Sequence, residues 1–172
     1  MILIGMGANL PSEAFGAPLD TLSGALTILR QRGAAVVARS SWYESAPVPA
    51  SDQPWFVNAV AELASDMAPA DLLAMLHEVE RALGRRREER WAARTVDLDL
   101  LAHGTHVIGW PGRAADPTGL VVPHPRLHER AFVLRPLAEL AGQWRHPVLG
   151  RSAAELLAAL PPGQTVRPLP HA

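Results

Sequence analysis

The chain has 172 residues, 48% of them hydrophobic, and a formal charge of -1 at pH 7. That is enough chain for one domain with its own core, and the balance excludes a surface built as a whole for nucleic acid or anionic membrane. Cysteine is absent and all 16 residues counted as Lys and Arg are arginine, which excludes disulfides, thiolate nucleophiles, Schiff-base lysines and a P-loop lysine.

The opening "MILIGMGA" reads as a first strand. "MILIGMGANL" lacks a basic leader region and is too short to span a bilayer, so a soluble cytoplasmic protein is expected. Asn9, Pro11 and Gly16 mark a loop. Leu19, Leu22, Leu26 and Leu29 recur at helical spacing over about 18–32, and Gly33 stops that helix. "AAVVARSSWYES" reads as a second strand, "APVPASDQP" as a Pro-rich loop and "WFVNAVAELAS" as a third strand. Pro69 opens the clearest helix, with Leu72, Met75, Leu76, Val79 and Leu83 on its apolar face and Gly84 at its end.

An arginine-rich segment follows, and then "TVDLDLL", a strand. Residues 103–119 are rich in Gly and Pro and predict a loop, with a short strand at "THVIGW". "LVVPHP" ends another short strand. "ERAFVLRPLAELA" is helical in pattern, with Pro136 predicting a break. A last helix is expected over about 152–160, then a loose tail over about 161–172. No repeat or long linker divides the chain, so residues 1–172 are expected to form one α+β domain, a sheet layered with helices.

Asp97 and Asp99 are the anomaly. Residues two apart on a strand share a face, about 6.6 Å apart along the chain. Both carboxylates therefore point one way, and Val96, Leu98 and Leu100 point into the core. Like charges side by side on a sheet repel, and partial burial raises that cost. A bound cation relieves it. One or two carboxylates completed by water and substrate phosphates describe Mg²⁺ rather than zinc. A solvated sheet face is the plain alternative.

The neighbours favour the cation. Arg85, Arg86, Arg87, Arg90 and Arg94 fall within residues 84–94, opposed only by Glu88 and Glu89. Guanidinium forks match phosphate oxygens. Trp91 within that run suits a planar substrate better than a merely solvated loop. His77 and Glu80, three apart on the preceding helix, are read as lying off its apolar face; spacing alone favours an ordinary polar face over a pair looking toward the same cleft. His124 sits between prolines at a strand end, a rigid place for a side chain. No H-E-x-x-H occurs, and "GMGAN" lacks the third glycine of a dinucleotide fingerprint.

Taken in order, "IGMGANL", "SSWYESAPV", "DQPWFVNAV", "LGRRREERWAARTVDLDLL" and "VPHPRLHERAFVLRPL" closely resemble the 6-hydroxymethyl-7,8-dihydropterin pyrophosphokinase family of the folate pathway. The long arginine-to-aspartate run is the specific piece. The resemblance implies a single-domain, three-layer fold with a ferredoxin-like antiparallel sheet. It also implies transfer of a pyrophosphoryl group from ATP to the pterin hydroxymethyl oxygen, with release of AMP. On that footing Asp97 and Asp99 hold two Mg²⁺ ions, and Arg85 and Arg94 contact phosphates with Arg87 nearby. His77, Glu80, His124 and Arg130 line the ATP side. Trp91 and Phe132 sandwich the pterin; Phe56, Asn58 and the backbone around Ser45, Ala46 and Val48 meet its edge.

Some positions depart from the family pattern. His77 stands where many members carry glutamine, Ser45-Ala46 replaces a more usual Thr-Pro, Phe56 replaces a frequent tyrosine, and Gly119 falls near a basic position. The partners implied are the two small substrates, without nucleic acid or membrane, and a monomer is the starting expectation. Two other functions fit parts of the sequence: a D-x-D nucleotide-sugar transferase, which predicts a larger nucleotide domain, and an RNA-binding module, which predicts exposed aromatics on central strands.

Overall fold

The computed structural model describes residues 1–84, 94–112 and 114–170. In chain order the elements are β1 (Ile2–Ala8), α1 (Pro18–Gln31), β2 (Ala35–Arg39), β3 (Tyr43–Ser45), β4 (Phe56–Ala64), α2 (Pro69–Ala82), β5 (Asp97–His103), a 3-10 turn (Leu127–Glu129), α3 (Ala131–Ala141), α4 (Ala153–Ala158) and β6 (Val166–Pro168). Every strand pair is antiparallel. The sheet runs β5-β1-β4-β3-β6, with β2 also paired to β4. This is the expected α+β architecture.

Local chemistry sets the helix ends. α1 and α2 each begin with a proline, whose missing N–H would have had no helical partner there. Asp20 and Asp71 add negative charge in the first turn, where the helix dipole favours it. α1 closes in a Schellman turn: Ala34 N donates to Leu29 O at 3.0 Å and Gly33 N to Arg30 O at 3.3 Å. Gly33 adopts φ +87, which only glycine takes without strain. Ser152 and Glu155 form a reciprocal capping box at the start of α4.

Period-2 alternation divides the strands between two cores. Ile2, Ile4 and Met6 of β1 join Ala59 and Ala61 of β4 and Leu98 and Leu100 of β5 under α1 and α2. Leu3, Val60 and Leu101 face the other way and pack against Leu134, Leu137 and Leu156 of α3 and α4. The result is three layers, with the sheet in the middle. A β-bulge opposite Leu3 and Ile4 leaves both Leu100 and Leu101 buried, one in each core.

Several expectations are corrected. The second strand is two strands, because the chain steps at Ser40: its hydroxyl accepts from Val60 N at 3.1 Å, and its N–H donates to Val60 O. β2 then pairs with Ala61–Ala64 and β3 with Phe56–Asn58. Pro136 does not break α3, which runs through it. An interior proline costs about 3 kcal/mol. Burial of Val133, Leu134 and Leu137 at roughly 1.5–3 kcal/mol each outweighs that. The strands expected at "THVIGW" and "LVVPHP" reduce to one isolated bridge between Ile108 and Val122. The tail expected to be loose instead supplies β6, paired with β3.

His146 is fully buried. Its Nδ1 accepts from Val148 N and Leu149 N, both at 3.2 Å, and its ring packs edge-on against Trp110 at 5.0 Å. Burial first, and nearby His128 second, push its pKa down to about 4. The native ring stays neutral where the unfolded ring, near 6.5, already binds a proton. Stability is therefore fully present above pH 6.5 and declines as pH falls toward 4. Urea denaturation from pH 7 to pH 4.5 is expected to show this loss, and His146→Leu should remove this ring's share of it.

Candidate active site

The α3 face of the sheet is not covered along its whole length. Leu3, Val60 and Leu101 lie beneath α3, but beyond them the same face opens into a cavity of about 370 Å³. Its floor follows from register. Gly7 pairs with Asn58 on one side and Asp97 on the other, and Gly5 pairs with Val60 and Asp99. Strands lie about 4.8 Å apart, so Asn58 and Asp97 stand roughly 9.6 Å apart across a glycine. A Cβ on Gly7 would lie 3.2 Å from Asn58 Oδ1, and one on Gly5 3.3 Å from the Leu101 side chain. The two glycines of "GMG" leave the floor bare between an amide and a pair of carboxylates.

Ser45, Ala46, Val48, Phe56 and Asn58 form the β3–β4 side of this cavity. Asn58 Nδ2 donates to Ser45 Oγ at 2.9 Å, and both residues are buried. Ser45 is thus held firmly despite departing from the usual threonine. Arg94, Asp97, Asp99 and His124 form the β5 side, and Arg130 and Phe132 enter from the start of α3. The sequence alternation is as expected: Leu98 and Val96 are buried, and Asp97 and Asp99 face the cavity half-buried.

Charges here are paired across elements. The Arg94 guanidinium bonds Asp97 Oδ2, and Arg130 Nη1 lies 3.7 Å from Asp99 Oδ2. Burial lowers the Arg130 pKa and Asp99 pulls it back up. The His124 ring is held at a pKa of about 4, by burial first and by the Arg130 charge second, with Asp97 opposing. Its Nδ1 accepts from Arg126 N at 3.1 Å, so at neutral pH the ring is uncharged with Nε2 as its donor.

His77 and Glu80 are not among the residues lining the cavity. The expectation that Glu80 lies off the apolar face of α2 is corrected. Glu80 is 3% exposed and accepts from Leu98 N at 2.7 Å, strapping α2 to the aspartate strand. The signal was present in the sequence, since Leu76, Val79, Glu80 and Leu83 follow the i, i+3, i+4, i+7 spacing of one face. Arg85, Arg87 and Trp91 lie outside the described residues.

Asn9 was missed. Only 2% exposed, it accepts at Oδ1 from Arg94 N at 2.7 Å and donates from Nδ2 to Pro54 O at 3.1 Å. Its own N–H donates to Arg94 O at 2.9 Å. One amide thereby joins the end of β1, the return of the arginine-rich segment and the Pro-rich loop, where Gln53 lines the cavity. No local pattern distinguishes it from an ordinary turn asparagine.

The donor set suits a hard cation. Among the described residues no group of three or more His, Cys, Asp and Glu is placed to enclose an ion. Two carboxylates on an open cavity wall fit Mg²⁺, which keeps waters and takes substrate phosphates as ligands.

Residues 3–142 match the family described as 7,8-dihydro-6-hydroxymethylpterin-pyrophosphokinase, HPPK. The chain belongs to the HPPK family. A 2-amino-4-hydroxy-6-hydroxymethyldihydropteridine pyrophosphokinase from Pseudomonas aeruginosa is 42% identical over 162 residues, covering 93% of this chain and 91% of the relative. The enzyme of that name from Bacillus subtilis is 39% identical over 141 residues, 81% of this chain and 77% of its own. In fold, the HPPK-DHPS protein of Plasmodium falciparum superposes with a TM-score of 0.70 at 12% identity, over 91% of this chain and 42% of that one. HPPK membership leaves the nucleotide-sugar and RNA-binding readings without support.

Glu80→Ala leaves the buried Leu98 N–H without this acceptor, which costs about 1–3 kcal/mol. Glu80→Gln keeps an acceptor and is expected to lose less than half as much, as read by urea denaturation.

Proposed function

We propose that this chain transfers a pyrophosphoryl group from ATP to the hydroxymethyl oxygen of 6-hydroxymethyl-7,8-dihydropterin, releasing AMP, as a step of folate biosynthesis. The observation that carries this reading is the cavity floored by Gly5 and Gly7. Its Asn58 side offers an amide and apolar walls to a flat heterocycle, and its Asp97–Asp99 side offers charge to a triphosphate.

The pterin stands over the bare floor, with its ring edge toward Asn58, Ser45 and the backbone around Ala46 and Val48. Phe132 covers one ring face, and Phe56 closes the end. This holds the hydroxymethyl arm toward Asp97, so that its oxygen attacks the β-phosphorus in line. The bond from that phosphorus to the α-phosphate oxygen breaks, AMP leaves, and the hydroxyl proton passes to solvent. Such transfers depend on positioning and charge neutralisation more than on covalent chemistry. Asp97 and Asp99 would hold Mg²⁺, two ions by family resemblance, which would neutralise the charge of the triphosphate. Arg94 and Arg130 are ion-paired to the aspartates, and in this reading they contact phosphate oxygens. Neutral His124 donates from Nε2 to an ATP oxygen. The resemblance gives His77 to the ATP side, Arg85 and Arg87 to phosphate, and Trp91 to the second pterin face, whereas Glu80 serves that side by holding the aspartate strand.

No helix among the described residues is long and apolar enough to cross a membrane. The cytoplasm is the proposed place of action, on the ground of the small-molecule reaction.

The test is AMP formation from ATP and Mg²⁺, with and without the pterin. Wild type is expected to form AMP only with pterin, and Asp97→Asn to lower the rate at least about 100-fold without a change in fold. AMP formation independent of pterin, or undiminished in Asp97→Asn, would contradict the assignment.

A further inference from the structure

The C-terminal segment lies beyond the residues that match the family, 3–142, yet it touches the cavity's two walls. β6 lies along β3, with Val166 opposite Ser45 and Arg167 opposite Glu44. Ala46 N donates to Thr165 O at 3.2 Å and Leu169 N to Trp42 O at 2.8 Å. Arg167 ion-pairs with Glu44, and its guanidinium stacks 4.7 Å from the ring of Trp55, next to Phe56. One wall is thus backed by the tail through main chain and side chain together.

Gln164 reaches the other wall. Its Oε1 accepts from Ala131 N at 2.8 Å, and its Nε2 donates to Glu129 O, also at 2.8 Å. Ala131 is the first residue of α3, and Arg130 occupies the N-cap position without a side-chain cap bond. Ser, Thr, Asp or Asn at that position would cap the helix locally. Arg130 has no acceptor to offer, and its guanidinium is turned to Asp99 and to the Phe132 ring, 5.6 Å away. The helix that carries Arg130 and Phe132 into the site takes this cap from a residue 33 positions later. Gly163, at φ +111, makes the turn that brings Gln164 there after the end of α4.

We propose that Gln164 is a positioning residue for the pterin: by capping α3 in place of Arg130 while its neighbours 165–167 pair with β3, it fixes Phe132 relative to the Ser45–Ala46 wall. This rests on the function proposed above. The tail is a strap between the two walls, and the spacing it sets is the slot the flat ring must enter. Gln164 itself touches neither substrate. Its loss therefore acts first on pterin binding through Phe132, whereas Arg130 keeps its own tie to Asp99 and the aspartate side changes less.

The test compares wild type, Gln164→Leu, which loses both bonds, and Gln164→Glu, which keeps the acceptor for Ala131 N. The readouts are KM for pterin, KM for ATP, kcat, and amide exchange across the chain. Gln164→Leu is expected to raise the pterin KM about five- to tenfold, with ATP KM and kcat within about twofold. Exchange should quicken at Ala131 and its neighbours alone, and Gln164→Glu should fall between. An unchanged pterin KM overturns the proposal, whether or not exchange at Ala131 quickens. So does a loss spread over both KM values, kcat and exchange everywhere, which marks a purely structural role. Wild type that forms no pterin-dependent AMP removes the proposed function itself, and the strap's role with it.

Discussion

Two carboxylates on one face of one strand repel each other, and the fold holds them where they cannot move apart. Asp97 and Asp99 are fixed by β5, which pairs with β1 along one edge and is strapped to α2 by the Glu80–Leu98 bond. Their side chains face a cavity whose opposite side is uncharged. Arg94 and Arg130 offset the repulsion from two separate elements, one at the entry to β5 and one at the start of α3. Each arginine is drawn into the site by a carboxylate and carries its element with it. The site's cation and phosphate chemistry begins from that pair.

The rest of the molecule serves to leave this surface open. Leu3, Gly5 and Gly7 share a face, and only Leu3 lies under α3 and α4. Had Gly5 and Gly7 been the aliphatic residues usual in a central strand, the core would have continued across the floor. The opposite face carries Ile2, Ile4 and Met6 against α1 and α2 without interruption. The larger core therefore lies on one side of the sheet, and a smaller core shares the other side with the binding space. Asn9 and Gln164 solve the same problem at opposite edges: each uses one side-chain amide to tie distant segments to the margin of the cavity.

Features encoded by local chemistry were legible in the sequence. Pro69, the apolar stripe and Gly84 bracket α2 within a residue or two, and the alternation through "TVDLDLL" gives the facing of the aspartates. Features that depend on distant partners were not. The step at Ser40 reflects a bond to Val60, and β6 exists because β3 offers a free edge. Pro136 was misjudged because its local cost is visible in the sequence, whereas the burial that outweighs it is not. Glu80 was misread because its charge was given more weight than its helical position. The catalytic outline came from family resemblance added to spacing. The cavity's glycine floor, its amide ties and the cross-element ion pairs came only from the fold.

The most direct test of the central claim is Mn²⁺ binding, followed by electron paramagnetic resonance, with a non-hydrolysable ATP analogue present. Wild type is compared with Asp97→Asn and Asp99→Asn. The account predicts two ions per chain in wild type and at least about tenfold weaker binding in each variant. Metal affinity unchanged in both variants, with the fold intact, would contradict it and leave Asp97 and Asp99 as charges neutralised by arginine alone.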